Sequence, residues 1–197
     1  MIVVLDRQHV GKPGRDDRGA VGEVDGETVH EVDLTAAYIE AATALLTAEG
    51  HDVVHLDAGW YQERHRKAAE IARHNPDEAV AYVACHVNAG GGSYGLVIHD
   101  ERSRGGHALA EAVADALGSA CEPYLDRSLV RAAERGGTWA RAMSTIAGIY
   151  DGPANLCGVC FEPLFIDVER HEALRRPEGL VLVGQALAAG CMTWAGQ

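Results

Sequence analysis

The chain has 197 residues, 47% of them hydrophobic, 23% charged and only 6% aromatic, a balance that excludes disordered, collagenous and coiled-coil classes. At this length one core is able to bury roughly 70% of the surface the unfolded chain exposes, so a single domain over 1–197 is expected. Seventeen Lys and Arg against 29 Asp and Glu leave a formal net charge of -12, the wrong sign for gripping phosphate backbones, and no nucleic-acid partner is expected.

Ile2 to Leu5 is a continuous apolar run and predicts a buried strand. The stretch from Arg7 to His30 is polar, glycine-rich and long for a simple connection; loops of that length are usually functional. From Glu31, the positions Leu34, Tyr38, Ala41, Leu45 and Ala48 step by four, three, four and three along one face of a helix that Gly50 closes. Val53 to Leu56 predicts a second strand, Trp60 to His74 a helix, and Ala79 to Cys85 a third strand ending at His86. Gly95 to His99 follows as a short fourth strand, and Leu109, Val113, Ala116 and Leu117 mark another amphipathic helix. Residues 121–150 show only some mixture of strand and helix. Leu156 to Phe161 predicts a last interior strand, and a helix after Pro177, with Leu180, Val183 and Leu187 inward and Gly190 near its end, completes the chain. Strand-length runs alternating with helical ones imply an α/β fold: an open, mostly parallel twisted sheet with helices on both faces.

No apolar run approaches the roughly 18 residues that cross a bilayer, and Met1 to Asp6 lacks a signal-peptide pattern. A protein that is cytoplasmic as synthesised, without membrane insertion, is therefore expected. Five cysteines are an odd number in a chain too large to need stapling, which favours reduced thiols. Cys157 and Cys160 alone have pair spacing; they supply two of the four ligands a structural zinc needs and read as core cysteines, with a redox pair as the alternative.

In open α/β sheets, ligands collect outside the carboxyl ends of the strands. His9 follows the first strand, His86 ends the third, and Glu162 comes directly after Val159-Cys160-Phe161, while Glu31 joins them from the start of the first helix. Two histidines and a carboxylate around an open position suit a catalytic zinc, which makes amide hydrolysis feasible at neutral pH. The zinc set is His9, Glu31 and His86, and Glu162, outside it, would carry the proton. Spacing alone leaves alternatives open, because ten histidines give many pairings and no HExxH is present. Glu23, in Glu23-Val24-Asp25, competes with Glu31, which is also readable as a helix-start carboxylate. His86 is readable as a core histidine and His99 as either a cleft or a structural residue. His30 reads as exposed, and His51, His55, His65, His74, His107 and His171 fit solvated faces or loop ends. Glu169 to Arg176 reads as a solvated charge run, and Arg64 as half of an ion pair rather than a substrate contact.

The segments Val3 to Gly11, Glu31 to Leu34, His86 to Ala89 and Phe161 to Asp167 occur in the order seen in zinc-dependent N-acetylmuramoyl-L-alanine amidases of the type 3 family, which the chain resembles from Met1 to Gly190. The resemblance implies hydrolysis of the bond between muramic acid and L-alanine in peptidoglycan or a muropeptide. It implies zinc ligands at His9, Glu31 and His86, a catalytic glutamate at Glu162, and a bracing role at Asn88. The chain departs from the family where Arg7-Gln8 replaces Pro-Gly, Val10 replaces a glycine, Ala84 replaces a serine and Pro163 to Asp167 replaces Thr-Gly-Phe-Leu-Ser-Asn. A phage or prophage lysin released through a membrane pore is the expected setting. A zinc peptidase cutting a γ-glutamyl or other peptide bond, and a noncatalytic wall-binding module, are the alternatives. Oligomeric state is not readable from the chain.

Overall fold

The computed structural model describes residues 1–196. In chain order the elements are β1 (Ile2–Arg7), β2 (Val21–Val24), β3 (Glu27–His30), α1 (Glu31–Ala48), β4 (Asp52–Leu56), α2 (Tyr61–His74), β5 (Val80–Cys85), β6 (Gly95–Asp100), α3 (Arg104–Cys121), β7 (Ser128–Ala133), α4 (Ala140–Tyr150), β8 (Leu156–Glu162), α5 (Glu172–Arg175) and α6 (Pro177–Ala195), with a 3-10 turn at Glu169–His171. The main sheet has the order β4-β1-β5-β8-β6-β7 and is parallel except where β6 runs antiparallel to β8.

The continuous apolar runs of β1, β5 and β8 have a simple cause: these interior strands are covered on both faces, so neither side of the pleat has use for polar residues. One face packs Leu5, Val83 and Phe161 against α1, α3 and α6; the other packs Val4, Tyr82 and Cys160 against α2 and α4. The expected architecture is the one observed. Its consequence for chemistry lies in the register. The carboxyl ends of β1, β5 and β8 come to one edge, where Glu162 sits opposite Leu96 near the amino end of β6.

Several expectations are corrected. The stretch 7–30 is not a plain loop but carries the β2–β3 hairpin, whose Val21 to Val24 pairs antiparallel with Glu27 to His30. Residues 121–150 are not among the corrected expectations, since the expected mixture of strand and helix is present as β7 and α4. Helix α6 continues beyond Gly190, which serves packing rather than termination: a Cβ there would lie 2.5 Å from the Cα of Val113 in α3. At 19 residues and a mean hydropathy of 1.2, α6 is long and apolar enough to cross a membrane by composition, contrary to the reading that nothing is. Yet Leu180, Val183, Leu187 and Cys191 are buried in the core it shares with α1 and α3. His99 points away from any role in the cleft, because β6 runs backwards and carries it to the opposite edge, beside His107. Nor is Glu169 to Arg176 simply a solvated run, since His171 and Arg175 are buried. The His171 ring accepts the Phe165 N–H at 2.8 Å, and Arg175 donates to the Val168 carbonyl at 2.6 Å, so both shape the segment after β8. His65 is buried too, its Nε2 2.7 Å from the Thr145 carbonyl. All five cysteines are free, and Cys157 and Cys160, three apart on one strand, belong to opposite faces of the sheet.

Candidate metal centre

His9 lies just past β1 with φ 63°, a left-handed conformation that costs a residue with a Cβ about 1–3 kcal/mol and that surrounding contacts must enforce. His86 directly follows β5, where its N–H donates to the Phe161 carbonyl (2.9 Å) and its carbonyl accepts from the Tyr38 hydroxyl (3.0 Å). Glu31, buried, opens α1. Its Oε1 is 3.0 Å from His86 Nδ1 and 3.4 Å from His9 Nε2, and ligand atoms offered by the three residues all fall within 4.8 Å of one another. Donors bonded at about 2.0–2.1 Å to one tetrahedral ion stand roughly 3.3 Å apart, so the observed spacings fit a zinc site built from two imidazoles and a carboxylate. The Nε2 of His86 is buried and without a hydrogen-bond partner among the described residues.

The arrangement is held from several sides. Glu31 Oε1 accepts the Val87 N–H and Oε2 the Ala20 N–H, both at 2.9 Å. Burial opposes the charge of Glu31, but the bond to His86, the two imidazoles and the Ala20 N–H together keep its carboxyl below the ordinary range. Gly19, at φ 72°, passes so close that a Cβ would be 2.8 Å from the Cβ of Glu31. Asp17 Oδ1 lies 3.0 Å from His9 Nδ1, the ring nitrogen turned away from Glu31. Slight burial raises its carboxyl, but the adjacent His9 ring and the bonds from the Gly19 N–H and Lys12 outweigh this and lower it to about 2. A carboxylate behind a ligating histidine fixes its tautomer and orientation.

Beneath His9 lies a buried ion pair between Arg64 and Asp6, neither with exposed surface. Arg64 also donates to the carbonyls of Arg7 and Val10, which flank His9, and to those of Leu56 and Gly59. Asp6 accepts further from Tyr82 and Gln8. Arg64 is thus the ion-pair residue expected, and its guanidinium pins the backbone that the left-handed His9 needs pinned.

Glu162, Asn88 and Tyr61 line the same cavity of about 380 Å³ as His9, Glu31 and His86. Burial pushes the Glu162 carboxyl above its ordinary value, the Glu31 charge pushes it further, and His86 only partly compensates. Asn88 is fixed by its backbone, whose N–H donates to the Leu164 carbonyl and whose carbonyl accepts from Ile166, both at 2.9 Å. Glu23 is elsewhere: it is exposed on the hairpin, opposite Thr28, and has no place in the donor cluster.

No protein-family model matches the chain, and no curated sequence matches it. Solved structures do. AmiC2, an N-acetylmuramoyl-L-alanine amidase of Nostoc punctiforme, superposes with a TM-score of 0.70 at 21% identity, covering 100% of this chain and 98% of that one. The fold is that of the N-acetylmuramoyl-L-alanine amidases. The amidase Ami1 from Mycobacterium smegmatis (TM-score 0.69, 20% identity) covers 100% of this chain and 97% of its own. The catalytic domain of the CD27L endolysin targeting Clostridia difficile (TM-score 0.65, 14% identity) covers 98% and 97%.

Within this amidase fold the structure brings His9, Glu31, His86, Glu162 and Asn88 to one cavity. Sequence reasoning missed Asp17, although it stands in Asp17-Arg18-Gly19-Ala20, whose glycine and following N–H wrap Glu31. It also missed Tyr38, taken as a core position, whose hydroxyl holds the His86 backbone.

Proposed function

We propose that the chain is a zinc-dependent N-acetylmuramoyl-L-alanine amidase, cutting the amide between the lactyl group of N-acetylmuramic acid and L-alanine in peptidoglycan, and that it serves as a phage or prophage lysin. The observation that carries the reading is the convergence of His9, Glu31 and His86, with a half-buried carboxyl of raised pKa in the same cavity. The amidase fold and the endolysin among the structural neighbours support it.

A zinc ion held by His9, Glu31 and His86 supplies, when bound, a Lewis acid for the amide carbonyl and a water of lowered pKa. Glu162 takes the proton of the attacking water on a carboxylate oxygen and returns it to the departing nitrogen of L-alanine. Its raised pKa suits that transfer, because a carboxyl whose pKa moves toward the working pH is a stronger base than an ordinary carboxylate and still gives the proton up to the nitrogen. Asp17, whose carboxylate stands 3.0 Å from His9 Nδ1, is placed to orient that ring with Nε2 toward the metal. The Asn88 side chain accepts the Ala89 N–H at 2.8 Å through Oδ1, and its amide N–H groups, unpartnered among the described residues, are available to a substrate carbonyl.

Digestion of sacculi with zinc-loaded protein, followed by mass spectrometry, tests this. New L-alanine amino termini on released peptides, with the glycan strands intact, support the reading. Cleavage between amino acids would instead support the peptidase, and wall binding without new amino groups, indifferent to chelation, the noncatalytic module.

A further inference from the structure

The cavity at the candidate metal centre continues past its own residues. On its α4 side it is walled by Arg141, Ser144 and Thr145, and it shares Tyr61 and Ser144 with a second cavity of about 480 Å³ between α2 and α4. Met143 and Ala147 give this second cavity an apolar lining, and Arg135, from the connection between β7 and α4, contributes a cation. The groove is rigid. Gly148 lets α4 approach α2 until a Cβ would be 2.6 Å from His65 Nδ1, and the other nitrogen of that ring is bonded to the Thr145 carbonyl.

Arg141 and Arg135 are without an ion-pair partner among the described residues, whereas Arg18, Arg64, Arg102, Arg170 and Arg176 each have one. On the other side of His9, the cavity lined by Arg7, Arg15, Asp16, Asp17, Arg18 and Asp33 is of mixed charge and its cations are engaged: Arg18 is tied to Asp33 at 2.8 Å, Arg7 donates to the Val32 carbonyl at 2.8 Å and Arg15 stands 5.6 Å over the Trp60 ring. Of the guanidinium groups that line the cleft, those on its α4 side, Arg141 and Arg135, are thus the ones with neither an ion pair nor another partner for the side chain among the described residues.

We infer that the groove between α2 and α4 is the subsite for the peptide stem beyond the scissile amide, and that Arg141 at its mouth selects stems with a free carboxylate. The inference rests on the amidase reading. With the scissile amide over His9, Glu31 and His86, the stem leaves the centre as an extended chain, and the shared wall of Tyr61 and Ser144 gives it a continuous path into the groove. Its apolar side chains meet Met143 and Ala147. A guanidinium is the side chain best matched to a carboxylate, through two parallel hydrogen bonds.

The test uses one disaccharide-peptide in two forms, stem carboxylates free or converted to primary amides, with the zinc-loaded protein. The free form is expected to have a kcat/KM higher by about ten-fold or more, carried by KM, as a charge-assisted hydrogen bond confers. Arg141→Ala brings the ratio toward one while zinc content per chain is retained, and Arg141→Lys restores part of it. Ala147→Trp, which fills the groove, lowers kcat/KM for the full stem more than for N-acetylmuramoyl-L-alanine alone. Equal rates on the two forms, or a preference that survives Arg141→Ala, would overturn the groove assignment and leave the amidase reading standing. Cleavage of neither form would overturn the amidase reading and the groove assignment with it.

Discussion

Arg64→Met keeps a long apolar stem and removes the guanidinium, which in the native protein meets Asp6 and the carbonyls of Arg7, Val10, Leu56 and Gly59. The variant leaves four carbonyls short of a donor and a carboxylate without its countercharge, all in a place with no exposed surface for either original partner. Breaking a buried ion pair from one side costs about 3–5 kcal/mol. Four unsatisfied carbonyls at about 1–3 kcal/mol each would exceed that if none found water. Two effects hold the loss to the lower figure. Water enters the space of the missing guanidinium, and Asp6, whose carboxyl burial already raises despite Arg64, takes up a proton.

Against a total stability of about 5–15 kcal/mol, the variant folds but loses a large part of its margin. Urea denaturation followed by circular dichroism measures it, in a cycle with Asp6→Asn and the double variant. The double variant should be less damaged than the sum of the singles by about 1–3 kcal/mol, since it strands no charge. Zinc affinity should fall in Arg64→Met as well, because two of the carbonyls it frees, those of Arg7 and Val10, lie on either side of His9. A loss below about 1 kcal/mol, strict additivity with Asp6→Asn, or unchanged zinc affinity would refute this account of the bracket.

Glu162→Gln should retain zinc, measured by metal analysis, and lose about 10²–10⁴-fold in turnover, whereas His86→Ala should lose the metal too. Asp17→Ala should weaken zinc binding by about 10–100-fold in a chelator competition, with activity recovering as zinc is raised to saturation. Gly19→Ala, which puts a methyl at φ 72° against Glu31, should also reduce zinc affinity, and isothermal titration reads the change. As pH falls, kcat/KM should decline as Glu162, which must be charged to accept a proton, takes one up, and the burial that raises its carboxyl moves that decline toward higher pH. The same shift has the opposite sign in stability: the folded, metal-free protein binds this proton more tightly than the unfolded chain, so stability is lost as pH rises through that range. Glu162→Gln should abolish that component in urea titrations of metal-stripped protein.

The centre was legible because its residues stand at places a sequence marks. Chain connections run from β1 through α1 to β4 on one side, then back through α2 to β5 on the other, with the helices on opposite faces. This makes the carboxyl ends of β1 and β5 the point where the winding reverses, the usual crevice of an open α/β sheet. His9 and His86 follow those two strands, and each strand is a plain apolar run. What stayed hidden depended on direction and on tertiary contact. Nothing in Gly95 to Asp100 states that the strand runs backwards, so His99 could be placed at either edge. Asp17 and Glu31 are fourteen positions apart and meet His9 only once the hairpin folds the connection over α1. Buried His65 and His171 looked like surface residues because a neutral imidazole with one backbone partner carries no periodic signature.

The replacement of the resembling family's Pro-Gly by Arg7-Gln8 bears on how this protein positions its first histidine. Proline restricts the backbone by its ring, and glycine reaches positive φ without a steric penalty. Here neither is present, yet His9 itself adopts φ 63°. Side chains supply the restraint instead. The Gln8 amide bonds Asp6, Arg64 fastens the carbonyls on both sides of His9, and Arg7 donates to the Val32 carbonyl at 2.8 Å, next in the chain to Glu31. That last contact ties the segment bearing one donor directly to the segment bearing another. A stiff turn has been exchanged for a cross-braced one, so the geometry of the donors depends on residues as distant in sequence as Arg64. It follows that restoring Pro-Gly at positions 7 and 8 alone would remove the bonds to Asp6 and Val32 while Val10 still occupies the glycine position after His9.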